Sequence, residues 1–211
     1  LYKLEKQRWQ IDKLLLIRTK TIPNIDTACG ENYFYRSFIE CGETQKNSGI
    51  ENLPKNPDSY TALQEMAQGL LDPIIDYFGP IELTFGFCSP ELAKLIPGRI
   101  APKLDQHAAY ELNQNSKIIC SRLGAAVDFI VEDEDMMEVA RWIDENLIFD
   151  RMYFYGQERP LHISIGPEML QQVTLMLPDK KGYRLIPRTL KIGEFKEIDG
   201  NKMEEYGLRK Y

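Results

Sequence analysis

The sequence predicts an α+β fold, with a small, mainly antiparallel sheet and helices on one face. Three observations lead there. Two stretches carry apolar residues at helical spacing: Leu63, Met66, Ala67, Leu70, Leu71, Ile74, Ile75 and Phe78 in the first, and Met136, Val139, Ala140, Ile143 and Leu147 in the second. Short β-favouring runs at 81–87, 127–131, 152–155, 161–165 and 173–177 read as strands, several of them bounded by glycine or proline. The strands then follow one another late in the chain without a regular βαβ alternation, which favours antiparallel neighbours. No internal repeat or low-complexity segment interrupts the pattern.

Each element has a local reason. Residues 3–18 read as an amphipathic helix through Leu4, Ile11, Leu14, Leu15 and Leu16, ended at Ile22-Pro23-Asn24 because proline restricts the residue before it. Residues 32–39 are aromatic-rich. Residues 41–58, polar and punctuated by Gly42, Gly49, Pro54 and Pro57, read as a long surface loop. Asn56-Pro57 suits the start of the strongest helix, 57–78, in which Pro73 is expected to introduce a kink. Gly79-Pro80 turns the chain into strand 81–87, and Ser89-Pro90-Glu91 resembles a helix start. The acidic run Glu132–Asp135 opens the second clear helix, where the positive end of the helix dipole favours carboxylates. A calcium loop there lacks the required glycine and alternating ligands.

The length of 211 residues fits one domain of ordinary size with appendages: 1–30 as a helical extension, 31–178 as the main domain, and 179–211 as a basic hairpin and tail. A formal charge of −6 argues against a sequence-independent nucleic-acid coat, which needs clustered cations. Lys180, Lys181, Arg184, Arg188, Lys191 and Lys196 run against that mean, and they read as a solvated hairpin rather than a binding patch. The apolar runs are too short to span a bilayer. Cys29, Cys41, Cys88 and Cys120 form no CxxC pair, which excludes a finger-type zinc site; four buried or free thiols point to a cytoplasmic setting. No basic-then-apolar leader is visible, although a start on Leu1 is compatible with a removed leader or a preceding domain.

The chain has only two histidines, His107 and His162. His162 lies in Pro-Leu-His-Ile-Ser-Ile, pointing away from the face of Leu161 and Ile163. A lone histidine in such a setting is ordinarily a hydrogen-bonded structural residue. Asp128 shifts the balance, because a carboxylate at the start of the apolar run Val-Asp-Phe-Ile-Val is costly to bury unless paired or bound to a cation. Two imidazoles and one carboxylate are the ligand set of an open zinc site.

A family resemblance adds to this. Gln106-His107, Gly124-x-Ala126-x-Asp128 and Leu161-His162-Ile163-Ser164 repeat, in order, the ligand positions of the zinc peptidases that include D-alanyl-D-alanine carboxypeptidases, L-alanyl-D-glutamate endolysins and the hedgehog signalling domain. The segments 49–54, 71–73, 78–81, 86–92 and 149–150 resemble further pieces of that family in the same order. The resemblance covers residues 38–165 and implies a hedgehog/D-alanyl-D-alanine peptidase-like fold. It also implies a Zn2+ ion on His107, Asp128 and His162, and hydrolysis of a small peptide or amide substrate.

Three departures accompany it. His107 and Asp128 stand 21 residues apart, whereas the family has both within one Ser-x-His-x-x-Gly-x-Ala-x-Asp string; the extra residues at 109–122 are expected to form a mobile flap. The family's arginine before Ser-Pro is Cys88 here, so Arg99 or Arg122 is the candidate substrate-binding cation. The general base position, three residues before the final histidine, holds Arg159, which leaves Glu158 as the candidate catalytic base. The alternative is a zinc-bearing recognition or structural module without hydrolysis, or an accessory domain of a larger nucleic-acid-processing protein.

Overall fold

The structure, a computed structural model, describes residues 21–96, 102–182, 184–191, 193–206 and 208. The helix expected at 3–18 and the candidate Arg99 lie outside these residues. Among the described residues six strands form one sheet: β1 (Ile81–Phe85), β2 (Ala125–Val131), β3 (Arg151–Phe154), β4 (Leu161–Ile165), β5 (Gln172–Pro178) and β6 (Leu185–Thr189), in the order β1-β2-β4-β3-β5-β6. The helices are α1 (Tyr35–Ile39), α2 (Glu43–Ser48), α3 (Pro57–Met66), α4 (Asp72–Phe78), α5 (Pro90–Ala93), α6 (Met136–Asn146) and α7 (Gly200–Glu205). The class is α+β, as expected.

The sheet is mainly antiparallel, as expected, and one parallel pair makes it mixed. Four neighbouring pairs are antiparallel, but β3 and β5 run parallel. The chain leaves the end of β4, passes the start of β3 through residues 166–171, and enters β5 on the other side of β3. Asp150 secures this crossing: it is fully buried, its carboxylate accepts from Leu170 N (3.2 Å), and its backbone oxygen accepts from Gln172 N (3.0 Å). Apolar runs reveal strands but not which neighbour each one chooses.

Period-two alternation assigns the faces. Ala125, Val127, Phe129 and Val131 of β2, Leu161, Ile163 and Ile165 of β4, and Met152 and Phe154 of β3 are buried in one apolar cluster with Leu63, Met66, Leu70, Val139 and Ile143 of the helices. Each large side chain fully removed from water stabilises the fold by about 1.5–3 kcal/mol. Leu190, Phe195, Ile198 and Leu208 join the same cluster, so the core continues beyond residue 178.

The helix expected over 57–78 is divided. Asn56 caps α3, accepting from Asp58 N at 3.0 Å. A π-turn at Ala67–Leu71 then leads into α4, with Pro73 in its first turn. Proline lacks an N–H and crowds the carbonyl four residues back, and the wider turn just ahead of it absorbs both effects. The expected loop at 41–58 contains α2, which buries none of its residues and so left no apolar period to read. The same segment carries the buried Asn52, whose amide donates to Ile39 O and Phe87 O (both 2.8 Å) and accepts from Ser89 N (2.8 Å).

The acidic run behaves as a helix opening. Asp135 caps α6, accepting from Met137 N at 2.9 Å. Among the basic residues of the C-terminal hairpin, Arg188 pairs with Glu194 (3.3 Å) and lies over the Tyr206 ring, and Lys196 pairs with Glu145 (3.7 Å). No helix among the described residues is long and apolar enough to cross a membrane. All four cysteines are buried, and none is in a disulfide.

Candidate metal centre

The face of the sheet opposite the apolar cluster carries the polar residues. Register places Phe85, Asp128, His162, Tyr153 and Thr174 in one row across β1, β2, β4, β3 and β5. Asp128 and His162 are therefore cross-strand neighbours, and their side chains meet because directly opposed residues share a face. His162 Nδ1 lies 2.7 Å from Asp128 Oδ1.

His107 reaches the same point from a loop. It sits in a 3-10 turn, Gln106–Ala108, opened by Asp105, whose carboxylate accepts from His107 N at 3.0 Å. His107 Nδ1–H donates to Gly86 O (2.7 Å), which leaves Nε2 facing the sheet. Cys88 N donates to His107 O (2.9 Å), so residues 86–88 hold the histidine from side chain and backbone together. Nε2 then stands 3.2 Å from His162 Nδ1 and 3.4 Å from Asp128 Oδ1. The phenyl ring of Phe85, 4.6 Å from the His107 ring between centroids, closes one side.

The three ligand atoms all lie within 4.8 Å of one another. A tetrahedral ion bound at about 2.0–2.1 Å needs its ligands roughly 3.3 Å apart. His107 Nε2 stands at that spacing from both partners, whereas Asp128 Oδ1 and His162 Nδ1, hydrogen-bonded at 2.7 Å, have to part slightly to admit an ion. The donor types also suit a divalent transition ion: a backbone carbonyl fixes one imidazole, as such ligands require. The two histidine side chains are 6 % and 11 % exposed, but Asp128 is 30 % exposed, so the cluster has a side open to solvent.

Burial opposes the charged form of His107, but the Asp128 carboxylate more than offsets this and raises the imidazole above its ordinary range. Burial likewise pushes Asp128 up, and the adjacent His107 and His162 outweigh it, holding the carboxyl well below the usual range. These directions fix a pH dependence for the metal-free protein. The stabilisation from His107 is complete below its unfolded value near pH 6.5 and is lost as pH rises through the raised value. That from Asp128 is present above about pH 3.9 and is lost as pH falls through the lowered value. After chelation, Tm is expected to decline on the alkaline side of about pH 6.5. Metal needs neutral imidazoles, so the stabilisation by added metal should grow over the same range. A chelated protein with a flat Tm profile from pH 6 to 8 would show that the folded His107 carries no extra proton.

The other candidates fall in different places. Arg122 is half-buried, and its Nη1 donates to Leu104 O (2.9 Å) and to Tyr153 Oη (3.0 Å). Glu158 is exposed on the turn before β4 and makes no hydrogen bond or ion pair among the described residues. It lines a cavity of ≈ 680 Å³ with Glu82, Ile130 and Gln157. None of His107, Asp128 and His162 lines that cavity; its Ile130 lies two residues beyond Asp128 on the same face of β2. Cys88 is fully buried, as expected of a small hydrophobe.

The segment expected to be a mobile flap is rooted at both ends. Ala109, Glu111 and Cys120 are buried, and the Glu111 carboxylate accepts from Lys55 N, Asn56 N and Ser59 Oγ at the start of α3. Residues 112–118, closed by a Leu112–Ile118 bridge, and Ser121 are the exposed ones. Sequence reading also missed Gln106, whose Nε2 lies within 3.0 Å of Leu123 O, Asp150 Oδ2 and Ile165 O and so ties the His107 turn to β4. It missed Tyr153 as well, although β-alternation could have placed it on the face of His162. No family model matches the chain, and no curated protein and no solved structure matches it significantly. The residues themselves carry the functional reading.

Proposed function

We propose that this protein is a zinc-dependent hydrolase of a peptide or amide bond, resembling the D-alanyl-D-alanine-type peptidases. The observation that carries the reading is the convergence of His107 Nε2, Asp128 Oδ1 and His162 Nδ1, the only two histidines of the chain and a strand carboxylate, on a point with an open side. Zinc, if held by these three atoms, would lower the pKa of a water to about 7 and polarise a carbonyl. The residues around it do the rest. Gly86 O and Asp105 fix the tautomer and position of His107, and the β2–β4 register fixes Asp128 against His162. Glu158, which lines the cavity that Ile130 also borders, is the carboxylate assigned to take the proton of the attacking water and return it to the leaving nitrogen. The net reaction adds one water across the C–N bond: the carbonyl carbon gains the hydroxyl and the nitrogen gains the hydrogen.

Zinc-loaded protein screened on peptides and acyl amides is expected to turn over at least one of them. Glu158→Gln should lower that rate by about 10²–10⁴-fold with zinc content unchanged. An unchanged rate would remove Glu158 from the mechanism.

A second reading, a zinc-bearing recognition or structural module without catalysis, is favoured by one observation. Glu158 is exposed and touches none of the three ligands. Full zinc occupancy without turnover of any substrate in the screen would establish it. Purification with iron in place of zinc would overturn the hydrolase reading, because two histidines and one carboxylate also serve oxygen-activating iron.

A further inference from the structure

We propose that Tyr153 is a catalytic residue of this site, its hydroxyl donating a hydrogen bond to the oxygen of the reacting carbonyl, with Arg122 as the positioning residue behind it. The inference rests on the hydrolase reading and deepens it. Such a reaction builds negative charge on the carbonyl oxygen, and a donor aimed at that oxygen is ordinarily among the largest contributions to rate. Where the resemblance implies an arginine, this chain has Cys88, whose thiol is fully buried.

Tyr153 has the position for the task. It is directly opposite His162 in the β3–β4 register, and the two rings meet edge to face with centroids 5.1 Å apart. The row Asp128–His162–Tyr153 thus sets the phenol ring against His162, and the residue is half-buried rather than sealed in the core.

It also has the chemistry. Arg122 Nη1–H donates to the phenol oxygen at 3.0 Å, so the acceptor side of the hydroxyl is engaged by a cation. Among the described residues the hydroxyl hydrogen has no acceptor of its own, which leaves it to a ligand. The same nitrogen donates to Leu104 O at 2.9 Å, three residues before His107, so the guanidinium is braced between the His107 loop and β3. That bracing commits Arg122 to Tyr153, and its charge favours the phenol as a donor to a developing anion.

The test uses the full chain loaded with zinc for kinetics and with cobalt for optical titration by methylphosphonate, a tetrahedral anion. Tyr153→Phe removes one hydroxyl and keeps the ring against His162. It is expected to lower kcat by about 10²–10³-fold with KM nearly unchanged and metal content intact. It should weaken methylphosphonate binding by at least about tenfold, the loss of one charge-assisted hydrogen bond. Arg122→Met should weaken both in the same direction, and Arg122→Lys should restore part of each; a merely structural brace would instead show in metal content and Tm.

Equal methylphosphonate affinity in wild type and Tyr153→Phe, or no binding by the metal-loaded wild type, would overturn the assignment. If no substrate in the screen is turned over, the hydrolase reading fails on that result alone. The titration then still decides whether Tyr153 serves a bound oxyanion. A protein that takes up no metal overturns both.

Discussion

Replacing His107 or His162 with alanine is expected to reduce bound zinc from about one ion per chain to below about a tenth, read by elemental analysis after dialysis against metal-free buffer. The three proposed ligands are a minimal set, since an open site holds its ion with three protein atoms. Neither histidine has a substitute: the chain has no third imidazole, and the four thiols lie outside the cluster. Even loss of a partner that only orients a ligand typically costs 10–100-fold in metal affinity, and loss of a ligand costs more. The variants should still fold, because the apolar cluster of Phe129, Leu63, Ile163 and their neighbours lies on the opposite face of the sheet. Their Tm should approach that of the chelated wild type, the stabilisation by bound metal being gone. Full zinc occupancy in the double variant would sink the site.

What the sequence could show follows the periodicities that local physics imposes. The apolar stripes of α3, α4 and α6 were legible because each buries one face. The helices α1 and α2 were not, since α1 buries Tyr35, Phe38 and Ile39 within only five residues, too short for the pattern to repeat, and α2 buries nothing. Strands 81–87, 127–131 and 161–165 were visible as apolar runs, whereas the parallel β3–β5 pairing depends on a crossing fixed by the Asp150 carboxylate, which leaves no pattern. Of the candidate site, the three proposed ligands were legible through their rarity and the cost of a strand carboxylate. Their surroundings were not. Gly86 O is a backbone atom, Gln106 acts through three acceptors distant in sequence, and the Arg122–Tyr153 bond joins residues 31 apart. Glu158 was nominated by its distance from His162 along the chain, and the turn at 156–159 sets it out toward solvent.

The second large effect is expected at Gly124, the glycine that opens β2 four residues before Asp128. Its φ is +85, and a Cβ there would fall 1.9 Å from Ile165 O and 2.7 Å from Gly166 Cα, both backbone atoms that cannot swing aside. Ile165 is the cross-strand partner of Ala125, so relieving the contact requires β2 and β4 to separate where they begin to pair. A left-handed backbone on a non-glycine residue costs about 1–3 kcal/mol, and forcing extra atoms into a packed site about 1–3 kcal/mol more. Gly124→Ala is therefore expected to destabilise the protein by roughly 2–6 kcal/mol, a fall in Tm on the order of 10 °C for a domain of this size. Gly182, in the β5–β6 turn, supplies the control: its φ is +73, but a Cβ there meets nothing within 4 Å. Gly182→Ala carries the conformational cost alone, so the difference between the two variants isolates the contact with Ile165. Zinc uptake should separate them as well, since β2 and β4 carry Asp128 and His162, and only Gly124→Ala disturbs their register. Equal Tm losses with equal zinc content would show that β2 and β4 do not need this close approach to hold the site.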